Sequence, residues 1–376
     1  MKTLANITRI LVGGLFIFSG LVKAIDPKGL AFKMQEFFEA WSNSGFLPGL
    51  MKTFDHYALT FSIIMITLEV IVGVALLIGW KKKITVTILL LLMLFFTFLT
   101  SYVLFTGKIK ACGCFGDCIP LTPTQTFTKD IVLLIMILFL LFNLKHILPI
   151  AKPFFSGMYI VLATVAVLFL QWYVQRNLPL ADCLPYKKGN NILELRKMPK
   201  NAIQDKFEYM FTYEKDGLKQ DFKSSAPDST WKFIDRKQTL IQKGSNNIPI
   251  INDYSLTTEN GNDSTEDILS TKGEYYLLYI KDLEGYPENW DGDAAFIAAC
   301  KKAGKQLYIV SSQIEKVKGY LGKKELLKDK INTIPFLSCD ATVMKTVARA
   351  NPTLYFMDSA TVKEKYGWPA IQTAIK

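Results

Sequence analysis

The sequence lacks most of the features that would mark a soluble enzyme or a nucleic-acid binder. It contains no Cys-x-x-Cys, and no histidine accompanies its cysteine cluster. Lys and Arg exceed Asp and Glu to a net charge of +11, yet no compact basic stripe and no interleaving of aromatic with basic residues occurs. A nucleic-acid footprint is thereby excluded. The excess reads as membrane-surface and topology charge, or as plain solubility charge in the second half of the chain. Long apolar runs are absent after Ala181, and residues 185–376 have ordinary mixed-charge composition. What precedes Ala181 is different: it lifts the hydrophobic fraction of the 376-residue chain to 50%, more than a soluble protein of this length needs.

Five apolar stretches, about residues 7–24, 58–80, 84–105, 131–148 and 154–174, reach the roughly 17–25 residues that cross a bilayer. Lys2 and Arg9 before the first stretch are compatible with a signal peptide, but Lys23, Asp26 and Pro27 stand where a small-x-small cleavage site belongs. The stretch is expected to stay as a span. Short basic turns lie on the cytoplasmic side. The turn Lys81, Lys82, Lys83 and the turn with Lys145, His146 and Lys152, which has no acid, therefore face inward. The N-terminus is then cytoplasmic, and the loops 26–57 and 106–130 and everything after Val174 are periplasmic, in a bacterial inner membrane. Residues 29–41 form a short amphipathic helix with Leu30, Met34, Phe37 and Phe38 on one face, expected at the outer interface.

All six cysteines, Cys112, Cys114, Cys118, Cys183, Cys300 and Cys339, fall on the non-cytoplasmic side of this topology, where disulfides form and persist. Three stand in seven residues, Cys112-Gly-Cys114-Phe-Gly-Asp-Cys118. Gly113 and Gly116 let the backbone turn tightly there. A C-x-C bridge closes a very small, strained ring, and strained bridges have oxidising potentials, which suits a redox-active pair. Two other uses stay open: a structural disulfide closing the loop, with Cys183 nearby, or a thiolate metal site, for which C-x-C-x3-C is not the usual zinc spacing. No metal is expected. Cys300, in a helix over 294–302, and Cys339, ending a strand over 334–339, read as inert buried thiols.

Glu69 lies near the middle of the second span. A carboxyl at that depth must be paired, protonated or turned to water, and marks a functional site. Lys23, near the outer end of the first span, has Asp26 and Glu69 as candidate partners, although its depth differs from that of Glu69 by two or three turns. A protonated Glu69 bonded to a Ser or Thr of a neighbouring span is the structural alternative.

These residues resemble a known family. Phe18-Ser-Gly20-Leu-Val-Lys23 with Asp26-Pro27, followed by Glu69-Val-Ile-Val-Gly73 and Gly79, looks like the DoxX pattern, and Cys112-Gly-Cys114-Phe-Gly116 is similar to its MauE branch. The resemblance covers about residues 1–150. It implies a four-helix membrane bundle and, because MauE is associated with maturing a disulfide-rich periplasmic enzyme subunit, a thiol-redox role. Cys118 and a fifth span with an appended domain depart from the pattern, and nothing indicates a methylamine substrate.

The fifth span and linker occupy 151–184, and residues 185–245 read as β-rich from alternating runs at 207–213 and 231–234. Residues 246–376 resemble a TlpA- or peroxiredoxin-type thioredoxin fold. Strand 274–281, a helix about 291–303, strand 307–310, a helix about 312–328, and Asn351-Pro352-Thr353 before an apolar strand and hairpin follow its order. The resemblance maps the cis-proline onto Pro352. Where thioredoxins carry their dithiol this chain has residues 282–290 without a cysteine, so dithiol chemistry is excluded there. The domain reads as degenerate, binding or docking.

The expected whole is a polytopic helical membrane protein with a C-terminal α/β domain, a thiol–disulfide redox protein of the envelope or its accessory. Cys112 and Cys114 exchange with periplasmic protein thiols, and Cys118 or Cys183 resolves. A membrane quinone as electron acceptor rests on analogy with four-helix disulfide oxidases alone. The lipid bilayer is the other partner. The alternative function is a non-enzymatic scaffold or assembly factor whose thioredoxin-like domain docks an envelope partner; a transporter with Glu69 as proton carrier lacks an inverted repeat.

Overall fold

The computed structural model describes residues 1–109, 113, 115–223, 228–287, 290–328 and 330–375. Five of its helices are long and apolar enough to cross a membrane: α1 (Lys2–Ala24), α4 (Ala58–Ile78), α5 (Lys82–Thr106), α6 (Pro123–Phe142) and α7 (Pro153–Arg176). Between the first two lie α2 (Pro27–Asn43) and α3 (Pro48–His56). Helix α2 starts cleanly because the Asp26 side chain accepts from the Gly29 amide and Pro27 fills the first turn.

The fourth span corrects the sequence reading of 131–148. Hydropathy locates apolar residues, whereas this helix begins eight residues earlier on a polar stretch. There Thr122 and Gln125 form a reciprocal capping box ahead of Pro123, and the chain leaves the helix at Asn143 for a 3-10 turn, Leu144–His146. Helices α1, α4, α5 and α6 enclose one apolar core that includes Val12, Phe16, Leu76, Leu89, Met93, Ile137 and Leu140. Glycine brings α1 and α4 together: a side chain at Gly73 would meet Gly13 O at 2.9 Å and Ile17 N at 3.1 Å, the close backbone approach typical of small residues between membrane helices. Helix α7 flanks α4, where buried Gln171 donates to Thr67 Oγ1 at 3.0 Å.

After α7 the chain buries Leu184, packs Tyr186 into a core of the C-terminal domain and forms α8 (Ile192–Arg196). Strands β1 (Lys206–Lys215), β2 (Leu218–Phe222) and β3 (Lys232–Gln242) then make a separate antiparallel sheet in the order β2-β1-β3. The remaining elements are β4 (Thr257–Thr258), α9 (Thr265–Leu269), β5 (Glu274–Tyr279), α10 (Gly292–Lys302), β6 (Gln306–Ser311), α11 (Ile314–Leu321), β7 (Phe336–Ser338), α12 (Ala341–Val347), β8 (Thr353–Asp358) and β9 (Thr361–Gly367). They build a mixed sheet in the order β4-β7-β6-β5-β8-β9. Strand β5 runs parallel to β6 and antiparallel to β8, and a 3-10 turn, Trp368–Thr373, closes the chain. Alternation along β5 puts Tyr275, Leu277 and Tyr279 into the core beneath α9 and α12, and Tyr276 and Leu278 into the core beneath α10 and α11. A sheet covered on both faces needs apolar residues at every position, and the continuous run in β5 provides them. Helix α11 stops at Leu321, short of the expected 328, because turns take over through residues 322–328.

Candidate functional site: the junction of bundle and sheet domain

Lys23 and Glu69 meet inside the bundle. Lys23 Nζ lies 2.6 Å from Glu69 Oε1, with the two side chains 3% and 1% exposed. Ser19 Oγ donates to Glu69 Oε2 at 3.2 Å. The depth mismatch expected from the sequence disappears because α4 reaches further toward the soluble domain than α1 does. The Ser62 hydroxyl, seven residues before Glu69, donates to Pro27 O just beyond the end of α1. A side chain at Gly20 would meet Val70 Cγ2 at 2.6 Å, which sets Lys23 one turn from Glu69 and within reach of its flexible stem. At the opposite end of α1 the buried Arg9 guanidinium donates to Leu76 O and Leu148 O at 2.8 Å and to Leu77 O. These carbonyls lie at the C-terminus of α4, where Leu76 O also accepts from the Gly79 amide, and in the segment before α7, and a cation is favoured at such a helix end.

The cavity beside Lys23 and Glu69, lined also by Ser19, Phe96, Lys129 and Leu133, measures about 20 Å³. That holds about one water and does not fit a quinone ring.

Above this pair runs the loop from α5 to α6. Cys112 and Cys114 lie outside the described residues. Gly113 and Gly116 have φ of +71° and +59°, values open to glycine and strained for other residues. The Phe115 ring packs on Phe18 of α1 with centroids 6.0 Å apart, and the Lys129 ammonium stands 5.1 Å above it. Cys118 is disulfide-bonded to Cys183 in the segment after α7, with Cα atoms 4.9 Å apart and 65 residues between them in sequence. The loop is thereby stapled to the segment that leads into the sheet domain. Cys300 and Cys339 are free and buried, and burial pushes each thiol up to about 12, far from the reactive range.

The sheet domain reaches the loop through the edge that precedes β8. Asn351–Pro352 is a cis peptide. Two residues earlier, buried Arg349 donates from Nε to Asp26 Oδ2 and from Nη2 to Asp117 Oδ2, both at 2.8 Å. Asp26 caps α2, and Asp117 adjoins Cys118. Lys28 Nζ in turn donates to Arg349 O at 2.6 Å, and Lys345 Nζ to Gln35 Oε1 at 3.0 Å. The Phe32 ring has Lys281, Lys345 and Arg349 within 5.7, 5.4 and 5.2 Å of its centre. Lys365 Nζ pairs with Asp182, the neighbour of Cys183, at 2.5 Å. Desolvation and then Lys281 lower the Lys28 ammonium to about 7; burial likewise lowers Lys281 and Lys365. Beside these contacts an open cleft of about 640 Å³ separates the two parts, bounded by Lys28, Phe32, Arg176, Lys281, Asp282 and Asn351. Asp282, Glu284, Gly285 and Pro287, from the stretch that stands in place of a thioredoxin dithiol, form part of its wall.

Of the residues expected from the sequence, Lys23 and Glu69 come together, Cys118 and Cys183 join each other, and Pro352 lies in the cis peptide three residues after Arg349. Sequence reasoning missed Arg349 and Asp117, and it offered Asp26 to Lys23 where the structure pairs it with Arg349. It also missed Asp130, buried on α6 with Lys129 Nζ at 2.6 Å and Thr100 Oγ1 at 3.0 Å. The Thr122–Gln125 capping box was the available signal, since it puts Asp130 inside the helix. For Arg349 no local signal exists, because its partners are 232 and 323 residues away.

Residues 1–143 match the family described as methylamine utilisation protein MauE, and residues 207–243, which overlap the three-stranded sheet, match a domain of unknown function, DUF8463. Protein TlpB of Flavobacterium psychrophilum is 31% identical over 175 residues, a match that spans 45% of this chain and 44% of that protein. No solved structure matches the chain. The chain is thus a membrane protein whose first 143 residues are similar to the MauE family, joined through a fifth membrane helix to a C-terminal mixed-sheet domain consistent with a thioredoxin-like fold.

Proposed function

We propose that this protein exchanges disulfides with thiols of envelope proteins through Cys112 and Cys114, on the periplasmic side of a bacterial inner membrane. The observation that carries the reading is the pairing of Cys118 with Cys183. It commits the third loop cysteine, and the reading assigns exchange to the adjacent Cys112 and Cys114. It also supports the periplasmic assignment, since such bonds persist in oxidising compartments.

In the forward direction a substrate thiolate attacks one sulfur of a Cys112–Cys114 disulfide. That bond breaks, the other loop sulfur leaves as a thiolate, and the second substrate thiol resolves the mixed disulfide. The substrate gains one disulfide and gives up two electrons and two protons, and the loop ends as a dithiol. Exchange with an oxidised disulfide of a partner protein on the same face returns the loop to its starting state. Lys129 over Phe115 and Lys33 beside Gly113 flank the loop with cations, each of them paired with an acid, Asp130 and Glu36.

The test is a Cys114→Ser variant in intact cells, separated under non-reducing conditions. Mixed disulfides between Cys112 and envelope proteins should accumulate and vanish on reduction. If none forms, and Cys112→Ser leaves envelope disulfides intact, exchange is refuted. The scaffold reading then gains, favoured by a thioredoxin-like domain without a dithiol.

A further inference from the structure

We propose that the C-terminal domain is a built-in positioning element for the cysteine loop, and that Arg349 is the residue through which it acts. The proposal rests on the thiol-exchange reading of that loop and assigns a task to a domain that has no dithiol of its own.

Arg349 is held from every side. Its Nη1 donates to Lys345 O at 2.7 Å, its carbonyl accepts from Lys28, and its two remaining directions end on Asp26 and Asp117. A planar guanidinium with its donors so committed has one orientation. Its two acids come from the two structures that frame the loop: Asp26 from the junction of α1 and α2, and Asp117 from the loop itself, one residue before the Cys118 staple. The staple fixes that end of the loop to the linker, and Arg349 fixes it to the sheet domain, so its position is set jointly. The edge that carries Arg349 and runs into the cis Asn351–Pro352 peptide is therefore occupied by this chain's own membrane domain.

The same contact sets local charge. Among the described residues the charged groups around the loop are Lys33 with its partner Glu36 on α2, Lys129 with its partner Asp130 on α6, Asp26, Asp117 and Arg349, with the Asp182–Lys365 pair beside Cys183. Removal of Arg349 leaves two carboxylates without their shared cation. Uncompensated negative charge disfavours thiolate, so the loop thiols should titrate higher.

The experiment uses the full-length protein in detergent, reduced with a phosphine and then alkylated with iodoacetamide from pH 6 to 9, with Cys112 and Cys114 followed by mass spectrometry. Arg349→Gln should raise the midpoint of their reactivity by about half a unit, which slows alkylation about threefold at neutral pH. Arg349→Lys, which keeps the charge but cannot span both acids, should fall between. Lys345→Met loosens the same interface at Gln35 without touching Asp117, and should leave the rates unchanged. In an Asp117→Asn background Arg349→Gln should have less than half its effect. Protection of Cys300 and Cys339 reports that the sheet domain stays folded. If Arg349→Gln exposes them, Arg349→Lys carries the test, and wild-type rates in it overturn the proposal. So do unchanged rates in a folded Arg349→Gln protein, or an equal effect of Lys345→Met. A loop that alkylates as expected yet never forms mixed disulfides with envelope proteins sinks the exchange reading and leaves the positioning role standing.

Discussion

Replacing Lys23 by Met should damage the protein far more than replacing both members of its pair. The ammonium and carboxylate are 2.6 Å apart and almost fully buried. At that distance an effective dielectric of about 20 gives an attraction on the order of 6 kcal/mol. Desolvation opposes it by several kcal/mol for each ion, so the pair is worth little in net terms. Its loss from one side is costly, because the remaining carboxylate stays buried in the bundle without its cation, with Ser19 donating to it. Lys23→Met is expected to cost about 3–5 kcal/mol, and Lys23→Met with Glu69→Leu about zero or slightly the other way. Glu69→Gln should fall between, since the amide oxygen still accepts from Lys23. Unfolding in mixed detergent micelles, run as a double-mutant cycle, measures the coupling directly. The argument fails if the single and double variants are equally destabilised, or if Lys23→Met costs less than about 1 kcal/mol.

The Cys118–Cys183 bond closes a span of 65 residues, for which chain entropy gives about 4 kcal/mol as an upper figure. Cys183→Ser should lower the melting point by that measure, and iodoacetamide labelling of Cys118 in the untreated wild-type protein would refute the bond. Gly73→Ala should cost about 1–3 kcal/mol, because its methyl would meet backbone of α1 at 2.9 and 3.1 Å; a neutral result contradicts the close approach of α1 and α4. Lys28, at about 7 in the folded protein, lies below its unfolded value of about 10.4, so the unfolded chain binds the extra proton in between. Stability should therefore rise with pH from about 7 to 9, with lowered Lys281 and Lys365 acting in the same sense. Above that window the raised thiols Cys300 and Cys339 act oppositely. Melting curves should show the rise, and Lys28→Met should flatten it. A tag after residue 376 should be reached by an impermeant reagent in outer-membrane-permeabilised cells; its protection would reverse the orientation.

The sequence alone was enough for five spans, since crossing a bilayer demands long apolar runs that hydropathy reads directly. It was also enough for the order of the sheet domain, because β5 and β8 are continuous apolar runs and the glycine and proline breaks between elements are local signals. The limits of α6 depended on a capping box in a polar stretch, which hydropathy cannot see. Only the tertiary structure decided which charges meet. Lys23 reaches Glu69 because α4 is offset along α1, an offset set by glycine packing between two helices rather than by either helix. Arg349 reaches Asp117 and Asp26 because the sheet domain folds back onto the bundle. Partners 65 to 323 positions apart leave no local trace, so the pairing of Cys118 with Cys183 and the grip of Arg349 on the loop belong to the packed molecule alone.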